Sequence, residues 1–497
     1  MSSYVTVQNS AALIRIPEFR GLLQYGDGVG ADPRFAVESV NALTTGGVLR
    51  PMAACEQMPD ALADPIETLA RLHRRYYSAD GEKDVLIASA GGQLYWRVPT
   101  GERWKRIPMP PEYLGEEYLC SRWSCVSYEI TPEGSGAPVD VLLMSNAQDG
   151  MICIRGDDMT ASVVDTPRKF GVIARHAERI WGGAIDGDPD MLVYSAPYDP
   201  FGWMQNSESP EDGAGDVLQP SWDGDSFTAL ASFGSQLMAF KRSRVWRVLG
   251  TDPGQYVFKE QYGGGAPYER TIAVDANRVL MLGRDGLYQY DGESVTAFQQ
   301  EYAQAVFERM NVSALSRASA CIWRDTYYCA LPLDNSRTNN AVLLYNRMEN
   351  TWLLRENVDV ETFLPTEDAL YFTSAKKPGT LWKWQEDSLE TGKAVPMRWV
   401  SAWHDLGYHN MVKGSFAVYL TVECAQQAVI SIGIETEKKR KMKKLTFAPS
   451  TGNRKARHRR VAFGGSGRRF RLVIQCDGEA AWRLLGGMQL EAETDVD

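Results

Sequence analysis

DVLIASAGGQLYWRV, residues 84–98, is a short sentence that this chain repeats. A polar residue is followed by four mostly apolar ones, a turn, and a second run rich in Trp or Tyr. The pattern returns as DVLLMSNAQDGMICIRG (140–156), DMLVYSAPYDPFGW (190–203), SQLMAFKRSRVWRVLG (235–250) and NRVLMLGRDGLYQYDG (277–292). It returns again as DTYYCALPLDNSRTNNAVLLYNRMENTW (325–352) and DALYFTSAKKPGTLWKW (368–384). Successive starts lie 56, 50, 45, 42, 48 and 43 residues apart. β-Branched and aromatic residues fit the pleated surface of a strand, and several strands per unit at a period of roughly 40–50 residues is the spacing of β-propeller blades.

Working outward, most of these runs have an apolar partner just upstream. RIWGGAID precedes DMLVYS, TALASFG precedes SQLMAF, TIAVDAN precedes RVLMLG, SACIWRD precedes TYYCAL and ETFLPTED precedes ALYFTS. Two or three polar or Gly residues separate several of these pairs, which is hairpin spacing. The expected fold is all-β, with a propeller of about seven blades over residues 81–395. The longest helical stretch expected there is EYAQAVFERM, residues 301–310, between blades.

The two ends read differently. Residues 1–80 read as an extended N-terminal arm plus the first propeller strands. Asp32 and Pro33 suit the cap and first position of a short helical turn near residues 33–41. From Met397 the repeat gives way to long alternating runs, RWVSAWHDLG, SFAVYLTVEC, AVISIGIET, RRFRLVIQC and WRLLGGMQLEAE. Alternation means strands with one buried face, so residues 396–497 are expected to form a β-sandwich.

The 497 residues, 44% hydrophobic and 23% charged, suit a globular chain of two or three domains. No apolar run approaches the roughly 20 residues of a membrane span. The first residues lack a basic start and apolar core, so a cytoplasmic origin is expected. The eight scattered cysteines read as reduced, buried thiols. Net charge is −10, yet residues 435–471 carry 14 Lys/Arg against two Glu, a local +12 that leaves −22 on the remainder. Such asymmetry suggests oriented assembly.

Three stretches carry a resemblance: FRGLLQYGDGVGADPRFAVESVNALTTGGVLRP (19–51), ERIWGGAIDGDPDMLVYSAPYDPFGW (178–203) and RRFRLVIQCDGEAAWRLLGGMQLEAE (468–493). Together with the architecture they resemble bacteriophage β-propeller tail proteins, the nozzle, tail-hub or stabilisation proteins of short-tailed phages. The first stretch has the aromatic-Gly-Leu start, the Asp-Pro turn, the conspicuous Asn and the Gly-X-Leu-Arg-Pro ending of that group. The resemblance implies a non-enzymatic structural component of the virion tail, assembled in the host cytoplasm. It implies a six-fold homo-oligomeric ring around the DNA exit channel, contacting neighbouring tail or portal-adaptor proteins and letting phage DNA pass without sequence preference. A reading from another class is a carbohydrate-binding or carbohydrate-cleaving propeller at the tail tip.

No residues stand out as catalytic or cofactor-binding, and no cofactor is expected. Asp186, Asp188 and Asp190 cluster carboxylates as a calcium loop does, but a tight turn explains the same residues. His73, His176, His404, His409 and His458 have no metal spacing. Trp96, Trp181, Trp246, Trp323, Trp352, Trp382 and Trp384 read as blade packing rather than sugar platforms. The interaction candidates are Lys438, Lys439, Arg440, Lys441, Lys443, Lys444, Arg454, Lys455, Arg457, Arg459 and Arg460. They are expected on a long hairpin or loop projecting from the sandwich, either a plain solvated loop or a surface that docks on an acidic neighbour, with DNA as the second partner.

Overall fold

The computed structural model describes residues 5–494 apart from residues 9–10, 26–28, 77–82, 114, 133–135, 219–223, 251–252, 262 and 451–455. Seven four-stranded antiparallel blades follow one another along the chain. Their innermost strands are Ile66–His73, Ser124–Ile130, Val172–His176, Phe227–Phe233, Ala273–Val274, Ser319–Trp323 and Phe363–Pro365. All seven contribute to the wall of one central cavity. The fold is a seven-bladed β-propeller carrying a β-sandwich.

Ring closure comes from far away in sequence. The last blade supplies only three strands, and its outermost position is taken by Glu56–Ala61, antiparallel to Thr380–Lys383. Apolar residues fill each gap between neighbouring blades. Leu72, Ile87, Leu142 and Met144 meet between the first and second. Trp181, Leu237 and Trp246 meet between the third and fourth. Leu69, Leu86, Tyr371 and Leu381 meet between the first and seventh. The helical run expected at 301–310 is a single α-turn, Gln304–Glu308, between the fifth and sixth blades.

The repeat is out of frame at one blade. In six blades the repeated run opens on the second strand, but DMLVYS is the third strand of its blade. The second strand there is Arg179–Gly183, and a long connection separates Met191–Tyr194 from the outermost strand Gly215–Leu218. The Trp-bearing stretch 196–203 lies in that connection and imitates the following strand.

The sandwich draws on both ends of the chain. One sheet runs Val5–Gln8, Ala11–Ile16, Met488–Thr494, Lys413–Cys424 and Arg457–Gly467, with Trp482–Leu484 also on Lys413–Cys424. The other runs Ala36–Val40, Met397–Ser401, Phe470–Cys476, Ala428–Thr436 and Arg440–Phe447. Ile14, Phe19, Trp399, Phe416, Ile432, Phe470, Trp482 and Leu490 pack between them. The second sheet continues through Ala36–Val40 onto Thr351–Glu356, the outer strand of the sixth blade, so propeller and sandwich share one nine-stranded sheet.

The N-terminal residues are therefore a belt within the fold rather than an arm, and the expected domain limits shift. The first propeller strand, Ile66–His73, lies within residues 1–80, and the propeller also borrows residues 56–61; the sandwich borrows strands from residues 5–40. The helical turn expected near Pro33 is the strand Ala36–Val40. Asp32 does not cap a helix: its carboxylate takes the Arg34 backbone N–H at 3.0 Å and the Arg34 guanidinium. Pairing with Met397–Ser401 outweighs the local helix signal.

Asn41 ties the two bodies together. It is buried in left-handed backbone, φ 55°. Its N–H donates to the Leu354 carbonyl, its carbonyl accepts from the Met52 N–H, and its side chain accepts from the Glu356 N–H and donates to the Pro396 carbonyl, each at 2.8 Å. Asn tolerates that conformation better than other residues with a Cβ. Close by, a Cβ on Gly21 would lie 2.0 Å from the Trp352 carbonyl oxygen, so only glycine lets the belt cross the sixth blade.

Candidate interaction surface

The basic segment does not project as a loop. Arg440–Phe447 and Arg457–Gly467 are the edge strands of the two sandwich sheets, each paired on one side only. Charge hid their alternation: Leu445 and Phe447 face inward on the first, and Val461 and Phe463 on the second. Arg454 and Lys455 lie outside the described residues.

Register sets where the cations point. Lys441 and Lys443 lie opposite Ile434 and Ile432, and Arg457 and Arg459 lie opposite Val422 and Leu420, all core residues. Side chains directly across a ladder share a face, so these four cations flank the open side of the sandwich from both sheets. Lys443 Nζ sits 5.5 Å from the centre of the Phe463 ring. Lys438, Lys439 and Lys441 line a cavity of about 300 Å³ against Gly464, Gly465 and Ser466. Lysines on an open edge also oppose strand-to-strand aggregation.

The nearby carboxylates are already engaged. Glu435 is partly buried, which acts to raise its pKa, but Arg471 at 3.2 Å and Arg440 at 2.9 Å hold it below the ordinary carboxylate value. Glu437 accepts from the backbone N–H groups of Arg468 and Arg469. Lys444 lies 3.6 Å from Asp477, and Arg460 donates to Tyr419 Oη at 2.9 Å. Among the described residues, Lys438, Lys439, Lys441, Lys443, Arg457 and Arg459 have no ion-pair partner within 4.0 Å.

A second charged cluster, unmarked by any motif, sits at the mouth of the central cavity. Glu361, 7% exposed, precedes the innermost strand of the seventh blade. It meets Arg317 at 2.9 Å, Arg270 at 3.2 Å and Arg122 at 3.9 Å. Those arginines precede the innermost strands of the sixth, fifth and second blades, so one carboxylate holds together four of the seven. The cavity below holds about 400 Å³.

The remaining candidates separate in space. Asp190 accepts from the buried Lys241 ammonium, Asp188 lies 3.6 Å from Arg168 and Asp186 is exposed. No group of three such side chains among the described residues is placed to hold a metal; Lys241 engages the Asp190 carboxylate and Arg168 lies beside that of Asp188. His73 pairs with Asp84, His176 with Ser232, His409 with Asp405 and His458 with Thr421. His404 is buried, and desolvation pushes its pKa down to about 4. Burial raises the Cys125 and Cys153 thiols to about 12, leaving them protonated. Trp181, Trp246, Trp323, Trp352 and Trp384 are buried, while Trp96 and Trp382 are partly so.

No protein-family model matches the chain, and no curated protein matches it in sequence. Several solved structures are similar in fold. The Neurospora crassa Pan2 WD40 domain is 10% identical, over 65% of this chain and 89% of that one, at a TM-score of 0.35. A chain of the mitotic checkpoint complex is 9% identical over 67% of this chain and 93% of its own length, at 0.37. PorZ, a surface component of the Porphyromonas gingivalis type-IX secretion system, is 10% identical over 75% and 52%, at 0.34. Among the described residues no helix is long and apolar enough to cross a membrane.

Proposed function

We propose that this chain is a non-enzymatic structural subunit of a bacteriophage tail, repeated in a ring around the DNA exit channel as part of a nozzle or hub. The observation that carries the reading is charge segregation. A basic edge built from two open strands stands on a molecule whose remainder carries −22. A patch that complements a different patch on its own copy makes head-to-tail contacts, and such contacts close into rings when the rotation allows. The stretch that carries the phage-tail resemblance supports the reading as well. Gly21, Asn41 and Leu49 lie where the belt joins propeller to sandwich, and Leu49 pairs with Leu484.

In this mechanism the cations with no carboxylate of their own, Lys438, Lys439, Lys441, Lys443 and Arg459, meet the acidic flank of the next subunit. The shared sheet holds propeller and sandwich at a fixed angle, so the docking angle sets the ring. An acidic inner wall lets DNA phosphates pass without adhering. The test replaces Lys438, Lys439, Lys441, Lys443 and Arg459, cations with no ion-pair partner among the described residues, with Gln. The expected result is an unchanged melting temperature and loss of assembly that becomes more complete as salt rises. Assembly equal to the parent at every salt concentration would show the edge to be a solvated surface only.

A further inference from the structure

A groove of about 900 Å³ opens between the second and third blades, at the end of the propeller opposite the Glu361 cluster. It lies where the innermost strands Ser124–Ile130 and Val172–His176 finish, whereas Arg122 and Glu361 lie where innermost strands begin. Its volume is at the upper end of the roughly 300–1,000 Å³ of small-ligand sites.

The groove is built around one strained hairpin. Ala177 and Glu178 form the two-residue turn between paired His176 and Arg179, and both have left-handed backbone, φ 48° and 60°. Asn-Gly or Asp-Gly is usual there, and residues with a Cβ are disfavoured in that region. Tyr198 is also left-handed, φ 61°, and its N–H donates to the Glu178 carbonyl at 2.8 Å. Tyr128 Oη donates to the same carbonyl at 3.1 Å. Strain that the surroundings over-determine is a reason to look for function.

That strain fixes an exposed ring. Tyr198 is 76% exposed and Phe201 is 43% exposed. Their loop is held rather than loose: Asp199 accepts from the Phe201 N–H at 2.9 Å, and Trp203 donates to the Pro200 carbonyl while packing 5.2 Å from Phe170. Planar polar groups stand along the wall in fixed pairs. Arg175 lies 4.7 Å over the Tyr128 ring and pairs with Glu178 at 2.6 Å, and Arg75 pairs with Glu129 at 2.6 Å. Among the lining residues Arg75, Arg155 and Arg175 match Glu129, Glu178 and Asp199 in number. Asp140 and Asp157 behind the wall also hold Arg75 and Arg155 at 2.6 Å, so each of these guanidiniums already has a carboxylate partner and none is left for an anionic ligand.

We propose that this groove binds a neutral oligosaccharide. A ligand selected by exposed aromatic faces and fixed guanidinium–carboxylate pairs carries no net charge, an apolar face and an edge of hydroxyls, and a short neutral glycan has all three. Tyr198 and Phe201 stack on sugar faces, and the Glu129 and Glu178 carboxylates accept from hydroxyls. The preformed loop lowers the ordering cost of binding.

The test is saturation-transfer NMR on the full chain with cellotriose, mannotriose and chitotriose. Saturable binding to at least one is expected, with a Kd of about 0.1–1 mM. Tyr198→Ala and Phe201→Ala are each expected to weaken it about tenfold, a loss of about 1.4 kcal/mol, the order of an aromatic stacking contact. Both rings face solvent, so the melting temperature should not move. No transfer to any of the three sugars, or binding that survives both substitutions, would overturn the proposal. So would self-association that the two substitutions abolish without any sugar binding, since a second copy would then be the occupant.

Discussion

Replacing Glu361 by Gln removes the charge that holds Arg122, Arg270 and Arg317 at the cavity mouth while keeping the side chain's shape. The cost can be worked from exposure. Arg122 and Arg317 have side chains 48% and 39% exposed, and contacts that open to water are worth about 0–1 kcal/mol each. Arg270 is 18% exposed against a carboxylate at 9%, and its Nε and Nη1 already have no partner. Removing one member of a well-buried pair costs about 3–5 kcal/mol; the residual exposure of Arg270 brings the whole cluster to about 2–3 kcal/mol. The unfolding entropy of about 2.1 cal/mol/K per residue, taken over the span from Glu56 to Lys383, gives about 0.7 kcal/mol/K, so the melting temperature should fall by about 3–4 °C. Calorimetry of Glu361→Gln, Arg270→Gln and the double variant provides the assay. The double variant should lose less than the sum of the singles, because the two side chains share one interaction. A shift below 1 °C for Glu361→Gln, or additive losses, would refute the claim that this carboxylate ties the blades together.

Further outcomes follow from other contacts. Trp246→Ala, which empties a site between the third and fourth blades, should cost about 3–5 kcal/mol in thermal or denaturant unfolding, and a neutral effect would place the ring outside the core. Asn41→Ala leaves the Glu356 N–H and the Pro396 carbonyl without partners and forces Ala into left-handed backbone, together about 3–5 kcal/mol; calorimetry should show separate propeller and sandwich transitions. His404 titrates near pH 4 when folded and near the ordinary value of about 6.5 when unfolded. The unfolded chain therefore binds the proton first, so the His404 contribution is complete above about pH 6.5 and is lost as pH falls toward 4. His404→Gln should flatten that part of a denaturant-midpoint profile, and an unchanged slope would count against burial of the neutral ring.

How far the sequence could be read depended on how local the signal was. A run such as DVLIASAGGQLYWRV contains both strands of a hairpin and the turn between them, so its pattern is complete in 15 residues. The third blade was misframed because the Trp in its long connection stands where other blades carry a strand. Ala36–Val40 was obscured because its partners lie more than 300 residues away, at Leu354 and at Met397–Ser401. The cations on Arg440–Phe447 suggested a solvated loop, since the edge of a sandwich can place Lys at inward positions that a central strand cannot. Glu361 left no distinctive signal. Arg270, Arg317 and Glu361 recur at the blade period, 47 and 44 residues apart, but so do many other residues, and only ring closure shows that they and Arg122 meet. Tyr198 and Phe201 sat in a quoted stretch, but nothing in it distinguished exposed rings from packed ones.

The central claim is that copies of this chain form a ring whose contacts run through the basic edge. Electron microscopy of the purified full-length chain at low ionic strength tests it most directly. The expected result is closed rings of one size, with an axial hole wide enough for duplex DNA and the strands Arg440–Phe447 and Arg457–Gly467 at each subunit contact. Monomers at every concentration, or two-fold dimers that leave the basic edge exposed to solvent, would contradict it.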